Sequence, residues 1–199
     1  VNLQCEVPDA EEPLGHLDIG IDLGLTHQMT CSDGVVYSRV NLTRQYEEAL
    51  AMAQRANKKT YTKTIQAKIA NTRMDWTHKA TTAIAQRAKL IVIGDVSSMK
   101  LIKTRFAKST YDAAWGIARS QLHYKAKRFA GVCVEGNEMF SSVTCSDCGT
   151  RSGPSGLGAL GVREWCCSAC GVLHHRDVNA AQNILRTGRG TPIKGITVL

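Results

Sequence analysis

Two Cys-x-x-Cys pairs constrain this chain more than any other feature of its sequence. Cys145 and Cys148 form the first pair, Cys167 and Cys170 form the second, and 18 residues separate the pairs. This is the spacing of a zinc ribbon, in which four thiolates complete a closed tetrahedral shell. Choosing Cys166 as a ligand would break the symmetry of the pairs. We therefore expect a structural Zn²⁺ site rather than a disulfide framework, which would require a secretory context.

Positive charge is concentrated in the middle of the 199-residue chain. Residues 1–40 carry one base against seven acids, residues 41–128 carry 18 Lys and Arg against five acids, and residues 129–199 carry six bases against five acids. A block with a net charge of +13 attracts polyanions, so nucleic acid is the first partner to consider, although a solvated helix face gives the same pattern. No stretch reaches the roughly 18 to 20 apolar residues of a membrane span, and we expect no membrane association.

The hydrophobic pattern of the chain predicts an α/β fold. Apolar runs predict strands at residues 16–25, 90–93 and 132–134 and a hairpin at residues 29–40. Residues 43–89 contain no Gly or Pro and predict two long helices with a break near residues 58–62. Further helices are expected at residues 111–129 and 177–185. This order of elements resembles the RNase H fold.

Acidic residues stand at the ends of these predicted elements. Asp22 and Asp95 each follow a strand, Glu135 and Glu138 follow the next strand, and Asp177 begins the last helix. Carboxylates in such positions can converge, and three or four of them hold two Mg²⁺ about 4 Å apart in two-metal phosphodiester hydrolysis. Taken singly, each acid also fits a local role as a turn residue or a helix N-cap. The pattern alone leaves both interpretations open.

Three motifs resemble the TnpB family of transposon-encoded, RNA-guided DNA endonucleases. They are GIDLGL at residues 20–25, TCSDCG at residues 144–149 and RDVNAAQNI at residues 176–184, and the helical block ending ANTRMDWTHK at residues 70–79 is similar to the block between the first two RuvC motifs. The resemblance covers about residues 15–186. It implies an RNase H-like (RuvC) nuclease domain with a helical insertion and an inserted zinc ribbon, related to type V CRISPR (Cas12) effectors.

The resemblance also implies a division of the chain and a set of partners. The first part of the RuvC domain is expected at residues 1–140, with the basic helical insertion at about 43–89, followed by the zinc ribbon at 141–173, the closing helix at 174–186 and a tail at 187–199. Only the nuclease half of the family is covered, so we expect an N-terminal recognition half in the same or another chain. Guide RNA and target DNA are the expected partners, in a prokaryotic cytoplasm with the nucleoid.

One position departs from the family pattern. The usual second RuvC motif has Glu directly after the central strand, but here that position is Gly94, and Asp95 matches the next one. Adjacent strand residues point to opposite faces, so Asp95 does not simply replace the missing Glu. Some family members and the related Fanzor proteins supply the Glu from a later segment. We prefer Glu138 to Glu135 for this role because Glu138 directly precedes the segment leading into the ribbon.

The resemblance therefore implies specific roles and leaves two functions open. In the first, Asp22, Glu138 and Asp177 hold two catalytic Mg²⁺ in an RNA-guided DNA endonuclease, with Asp95 and Glu135 as weaker candidates. In the second, the chain is part of a nuclease-dead, RNA-guided DNA-binding repressor. Retention of both aspartates favours the enzyme. The residues expected to contact nucleic acid are Arg44, Lys58, Lys59, Lys63, Arg73 and Arg176.

Overall fold

A mixed five-stranded sheet forms the centre of the chain. The computed structural model describes residues 8–25, 27–38, 42–95, 114–159 and 161–190. β2 lies antiparallel to both β1 and β3, whereas β1, β4 and β5 run parallel to one another. The α/β class predicted from the sequence is confirmed. In the spatial order β3-β2-β1-β4-β5, the strands are β1 (Leu17–Asp22), β2 (His27–Cys31), β3 (Val36–Ser38), β4 (Ala88–Gly94) and β5 (Val132–Gly136).

Helices precede β4, connect β4 to β5 and close the fold. The predicted helix break occurs at residues 56–58, just before the expected position, where Asn57 adopts a left-handed conformation with φ of 50°. The start of the helix expected from residue 111 lies partly outside the described residues. No helix in the described part of the chain is both long and apolar enough to cross a membrane. The helices are α1 (Leu42–Gln45), α2 (Glu47–Arg55), α3 (Lys59–Arg87), α4 (Trp115–Arg128) and α5 (Arg176–Gly188).

One face of the sheet packs against α3 and α4. Ile21 and Ile93 from neighbouring strands are fully buried there against Ile84 of α3 and Leu122 of α4. Burial of such side chains supplies the main driving force for this layer. Trp115 closes the end of the same core and donates from its ring nitrogen to the Gly24 carbonyl at 3.3 Å. The core therefore fixes the residues that follow β1.

α5 packs against the opposite face of the sheet at close range. A Cβ atom on Gly20 of β1 would lie 2.0 Å from the carbonyl oxygen of Ala181 in α5, so only glycine permits this approach. Side chains alternate along a strand, so Asp22 points to the same face as Gly20. β1 and β4 thus end, at Asp22 and Gly94, beneath the helix that carries Asp177.

A small cysteine-containing unit lies between β5 and α5 in the chain. It contains the antiparallel strands β6 (Glu164–Cys166) and β7 (Leu173–His175), a short 3₁₀ turn at Leu157–Ala159 and a bridge between Thr144 and Arg151. The expected closing segment at residues 174–186 covers the end of β7 as well as most of α5. β7 leads directly into α5, so this unit is continuous with the helix over the sheet.

Candidate active site and metal centre

Four cysteine sulfurs converge at the base of the two-stranded unit. The Sγ atoms of Cys145, Cys148, Cys167 and Cys170 all lie within 4.8 Å of one another. The distance is 3.7 Å between Cys145 and Cys170 and 3.6 Å between Cys148 and Cys167. A tetrahedral zinc with Zn–S bonds of about 2.3 Å requires sulfurs about 3.8 Å apart. The four thiols therefore fit a zinc ion.

The two cysteine turns share one backbone geometry. Gly149 and Gly171 follow the pairs with φ values of 78° and 75°, a left-handed conformation that glycine adopts without strain. The amide of each glycine donates to the carbonyl of the first cysteine of its pair at 2.9 Å. Ser152 donates to the Cys167 sulfur at 3.2 Å and lowers the pKa of that thiol, which favours the thiolate.

His174 and Cys166 lie beside the four thiols. His174 is buried, and its Nε2 atom lies 3.0 Å from the Cys145 sulfur and 3.7 Å from the Asp147 carboxylate. These three residues form a second group with metal-ligand chemistry that shares Cys145 with the first. Cys166 is exposed and its sulfur lies 3.3 Å from the Gly171 carbonyl. It does not belong to the four-thiol group.

The charges of two other carboxylates, Asp177 and Glu138, act on the buried Asp22. Asp22 ends β1, Asp177 lies in the first turn of α5, and Glu138 follows β5. Burial and the negative charges of Asp177 and Glu138 raise the pKa of Asp22 to about 7, and the charges of Arg176 and Arg163 partly oppose this rise. The cluster therefore carries an excess of negative potential that a bound cation would relieve.

The Glu138 side chain fills the space above Gly94 at the end of β4. A Cβ atom built on Gly94 would lie 3.1 Å from Glu138 Oε2 and 3.1 Å from Ile184 Cδ1 of α5. Burial, followed by the charge of Asp95, raises the pKa of Glu138 to about 7, and Arg119 opposes the rise. Glu138 thus brings its carboxylate over β4 from a neighbouring strand end.

The weaker candidates Asp95 and Glu135 have other partners. Asp95 Oδ1 accepts a hydrogen bond from the Glu138 backbone amide at 3.1 Å, so Asp95 caps the turn that carries Glu138. Glu135 pairs with Ile93 in the sheet, and its carboxylate lies 3.4 Å from Arg119 Nε of α4. Strand alternation therefore directs Glu135 to the face opposite α5.

Arg163 contacts Asp177 although no motif in the sequence points to it. Its Nη1 atom donates to both carboxylate oxygens of Asp177, at 3.1 and 3.3 Å. Its backbone carbonyl accepts from the Arg176 amide at 2.7 Å, whereas the Arg176 side chain donates to the Ala159 carbonyl at 2.7 Å. Arg163 precedes β6, and no local sequence signal predicts that this loop returns to Asp177.

Two buried asparagines of α5 bind the segment that links Glu138 to the cysteines. Asn179 and Asn183 each donate from Nδ2 to the carbonyls of Ser141 and Thr144, at distances of 2.7 to 3.0 Å. Asn179 Oδ1 also accepts from the Ser146 amide at 2.8 Å. The sequence motif contained both asparagines but gave no sign of these partners. We refer to this set of contacts as the asparagine clamp.

Comparison with known proteins identifies the family. A family model described as Cas12f1-like, TNB domain, matches residues 115–184. A Streptomyces pristinaespiralis protein named as an RNA-guided DNA endonuclease is 36% identical over 94% of this chain and 49% of its own length. Escherichia coli InsQ, which has the same functional name, is 29% identical over 94% of this chain and 53% of its own length. This chain belongs to the TnpB family.

The TnpB-family chain spans about half the length of these curated relatives. Its fold is similar to that of Cas12f1 in a complex with sgRNA and target DNA, with a TM-score of 0.62 and 18% identity over 94% of this chain and 52% of the other. A CRISPR-Cas12f ternary complex gives a TM-score of 0.60 and 17% identity over 90% of this chain and 40% of the other. At these identities the likeness concerns the fold alone.

The basic residues expected to contact nucleic acid are spread along the helical block of this TnpB-family chain. α3 has 29 residues and extends about 43 Å, so its N-terminal lysines lie far from its C-terminal end beside the sheet. Arg73 lies half-buried in the middle of α3. The exposed members are Arg44 in α1 and Lys58, Lys59 and Lys63 at the start of α3.

Proposed function

We propose that this chain is the nuclease half of an RNA-guided DNA endonuclease that hydrolyses DNA phosphodiester bonds by a two-Mg²⁺ RuvC mechanism. The observation that carries the proposal is the Glu138 side chain above Gly94, in a cluster with Asp22 and Asp177. The functional names of the curated relatives support the same class. The proposed domain is RNase H-like, with a helical insertion at about residues 43–89 and a zinc ribbon at residues 141–173.

Asp22, Glu138 and Asp177 would hold the Mg²⁺ ions through hard carboxylate oxygens. Ions bound there would supply an activated water and stabilise the departing oxygen. Burial is the main cause of the raised pKa values of Asp22 and Glu138. The neighbouring charges of Asp177 and Glu138 add to the rise for Asp22, and this supports a cation site at Asp22. Arg163 would orient the Asp177 carboxylate, and Arg176 would contribute positive charge toward a phosphate.

Cys145, Cys148, Cys167 and Cys170 would hold one structural Zn²⁺. Four thiolates complete a tetrahedral shell and leave no open position for a reacting water, so this ion would stabilise the ribbon rather than take part in hydrolysis. The near-tetrahedral sulfur distances support this assignment over one that includes His174. His174 would instead donate a hydrogen bond to the Cys145 thiolate and help to orient it.

Guide RNA and target DNA are the proposed partners. The chain spans about half of its relatives, which supports a separate recognition half in the same or another chain. The lysines at the start of α3, together with Arg44 and Arg73, would contact the RNA backbone, because the helical block is rich in basic residues and has few aromatic residues. We propose that this activity acts in a prokaryotic cytoplasm, with the nucleoid.

A nuclease-dead repressor is the second candidate. The observation that favours it is Gly94, because the family's usual Glu is absent from the central strand. A chain that had lost catalysis would have no requirement for a glutamate over Gly94 or for charge at Asp22. The charge interactions of Asp22 with Asp177 and Glu138 therefore favour the enzyme.

Plasmid cleavage by the full-length protein with its guide RNA distinguishes these functions. We expect Mg²⁺-dependent cleavage that Glu138→Gln abolishes while RNA-guided DNA binding is retained, since this change removes charge but little volume. Asp95→Asn is the matched control and should have a milder effect, because the Asp95 side chain accepts a hydrogen bond from the Glu138 amide and an asparagine oxygen can accept the same bond. Parental cleavage by Glu138→Gln would refute the proposed metal site. RNA-guided binding by a parental protein that never cleaves would support the repressor.

A further inference from the structure

Two exposed apolar side chains directly follow Glu138. Met139 is 58% exposed and Phe140 is 43% exposed. Single exposed apolar residues are common on protein surfaces, but Phe140 also has a φ of 61°. This left-handed conformation is unfavourable for a residue with a bulky side chain. The turn therefore holds an aromatic ring in solvent in a backbone conformation that is not its preferred one.

Local contacts fix this turn and place a cation on the ring. The Phe140 carbonyl accepts from the amides of Val143 and Thr144 at 3.1 and 3.0 Å. Thr144 forms a bridge with Arg151, and the guanidinium carbon of Arg151 lies 4.0 Å from the centroid of the Phe140 ring. The ring and the guanidinium thus form one exposed cationic and aromatic surface, which we call the Phe140–Arg151 platform.

We propose that the Phe140–Arg151 platform stacks a base of a single DNA strand that enters the carboxylate cluster. This inference rests on the proposed function and adds to it a protein surface that contacts the DNA strand next to the carboxylates. Aromatic rings and arginine planes both stack on nucleobases, and the positive charge of Arg151 complements the phosphate backbone. Met139 adds a polarizable side chain that adapts to varied base faces.

The position of the platform favours a single strand over a duplex. Phe140 is two residues from Glu138, so their Cα atoms lie within about 7.6 Å, and one strand can contact the ring and the cluster together. Bases in a duplex are stacked on one another and do not expose their faces to a side chain. A purely apolar protein contact would not use the guanidinium that covers Phe140. The exposed ring and the guanidinium therefore favour binding of an unpaired DNA strand.

Binding of a fluorescent DNA strand tests the platform in the full-length protein with guide RNA. The probe is a single-stranded target oligonucleotide that contains 2-aminopurine, whose emission falls when it stacks, and the Glu138→Gln background prevents cleavage. Phe140→Asn removes the ring but retains a residue that tolerates the left-handed backbone. We expect this change to weaken binding about tenfold to a hundredfold and to restore the emission. Phe140→Trp should preserve both signals.

Arg151→Lys provides a second variant, because it keeps the charge but loses the planar group. It should restore part of the emission while leaving the salt dependence of binding unchanged. Tyr124→Ala is the matched control, since Tyr124 is an aromatic residue of α4 with 49% exposure, and it should leave both signals at the parental level. Circular dichroism and zinc content establish that each variant is folded.

Two results would overturn the platform. One is parental affinity and emission in the folded Phe140→Asn variant. The other is a defect confined to guide-RNA binding, which would assign Phe140 to the RNA. These results are independent of whether the protein is a nuclease. A parental protein that does not cleave DNA can still bind the probe and reduce its emission.

Discussion

Replacing Gly94 with alanine tests whether Glu138 requires the space at the end of β4. The new methyl group would lie 3.1 Å from Glu138 Oε2 and 3.1 Å from Ile184 Cδ1, so one neighbour must move by a few tenths of an ångström. Ile184 is fully buried in α5, whereas Glu138 is only half-buried. The Glu138 carboxylate should therefore move from its position above Gly94.

The expected loss of activity follows from the size of this movement. A displacement of about 1 Å in a catalytic group can reduce a rate about 100-fold, so a smaller displacement should reduce Mg²⁺-dependent cleavage about tenfold. Stability should change by no more than about 1 kcal/mol, because the side chain of Glu138 can rotate outward and loss of glycine restricts the unfolded chain. Cleavage rates of the full-length protein and thermal melts measure the two effects.

Gly116→Ala is the matched control. Gly116 lies in α4, and a Cβ atom there would have no neighbour within 4 Å. This change should leave cleavage unaltered and slightly stabilise the helix. A Gly94→Ala variant that cuts at the parental rate, with Mg²⁺ below saturation, would contradict the inference that Glu138 acts from above Gly94.

The pKa values of about 7 for Asp22 and Glu138 predict that the metal-free protein loses stability as the pH rises from about 5 through 7. In this pH range the folded protein retains protons that the unfolded chain has already released, so ionisation of the two carboxyls disfavours the fold. Added Mg²⁺ should offset this loss. Thermal melts at several pH values with EDTA or with Mg²⁺ check both effects. Cys148→Ser should lose zinc and make the ribbon sensitive to protease. Cys166→Ser should retain zinc, because the Cys166 sulfur lies outside the four-thiol group. Equal zinc contents of the two variants in metal analysis would refute this distinction. Charge reversal at Lys58, Lys59 and Lys63 in the full-length protein should weaken guide-RNA binding. It should also reduce the slope of log affinity against log salt concentration by about one per residue. An unchanged slope would show that these lysines are solvated and do not contact the RNA.

The sequence predicted the elements of the fold better than their boundaries. Continuous apolar residues identified β4, and the absence of Gly and Pro identified the helical block. The helix break was placed slightly too late, because the turn depends on the left-handed Asn57 rather than on a glycine or proline. The sequence therefore revealed periodic patterns but not this local conformation.

The candidate site was partly visible in the sequence. Acids at element ends and the family motif selected Asp22 and Asp177, and in the structure the charges of Asp177 and Glu138 both act on Asp22. Their catalytic role stays a prediction. Arg163 could not be found because its contact with Asp177 depends on how the whole ribbon returns to α5. Such a long-range return leaves no periodic trace in the sequence.

The asparagine clamp limits how freely this ribbon could be exchanged. Ribbons with the same cysteine spacing would bind metal equally well, but a transplanted ribbon would also need carbonyls placed to accept from Asn179 and Asn183. A graft without them would leave two buried amides without acceptors, which costs about 1 to 3 kcal/mol for each group. The same graft would release the turn that carries Glu138. Cysteine spacing alone therefore does not make the ribbon an interchangeable module.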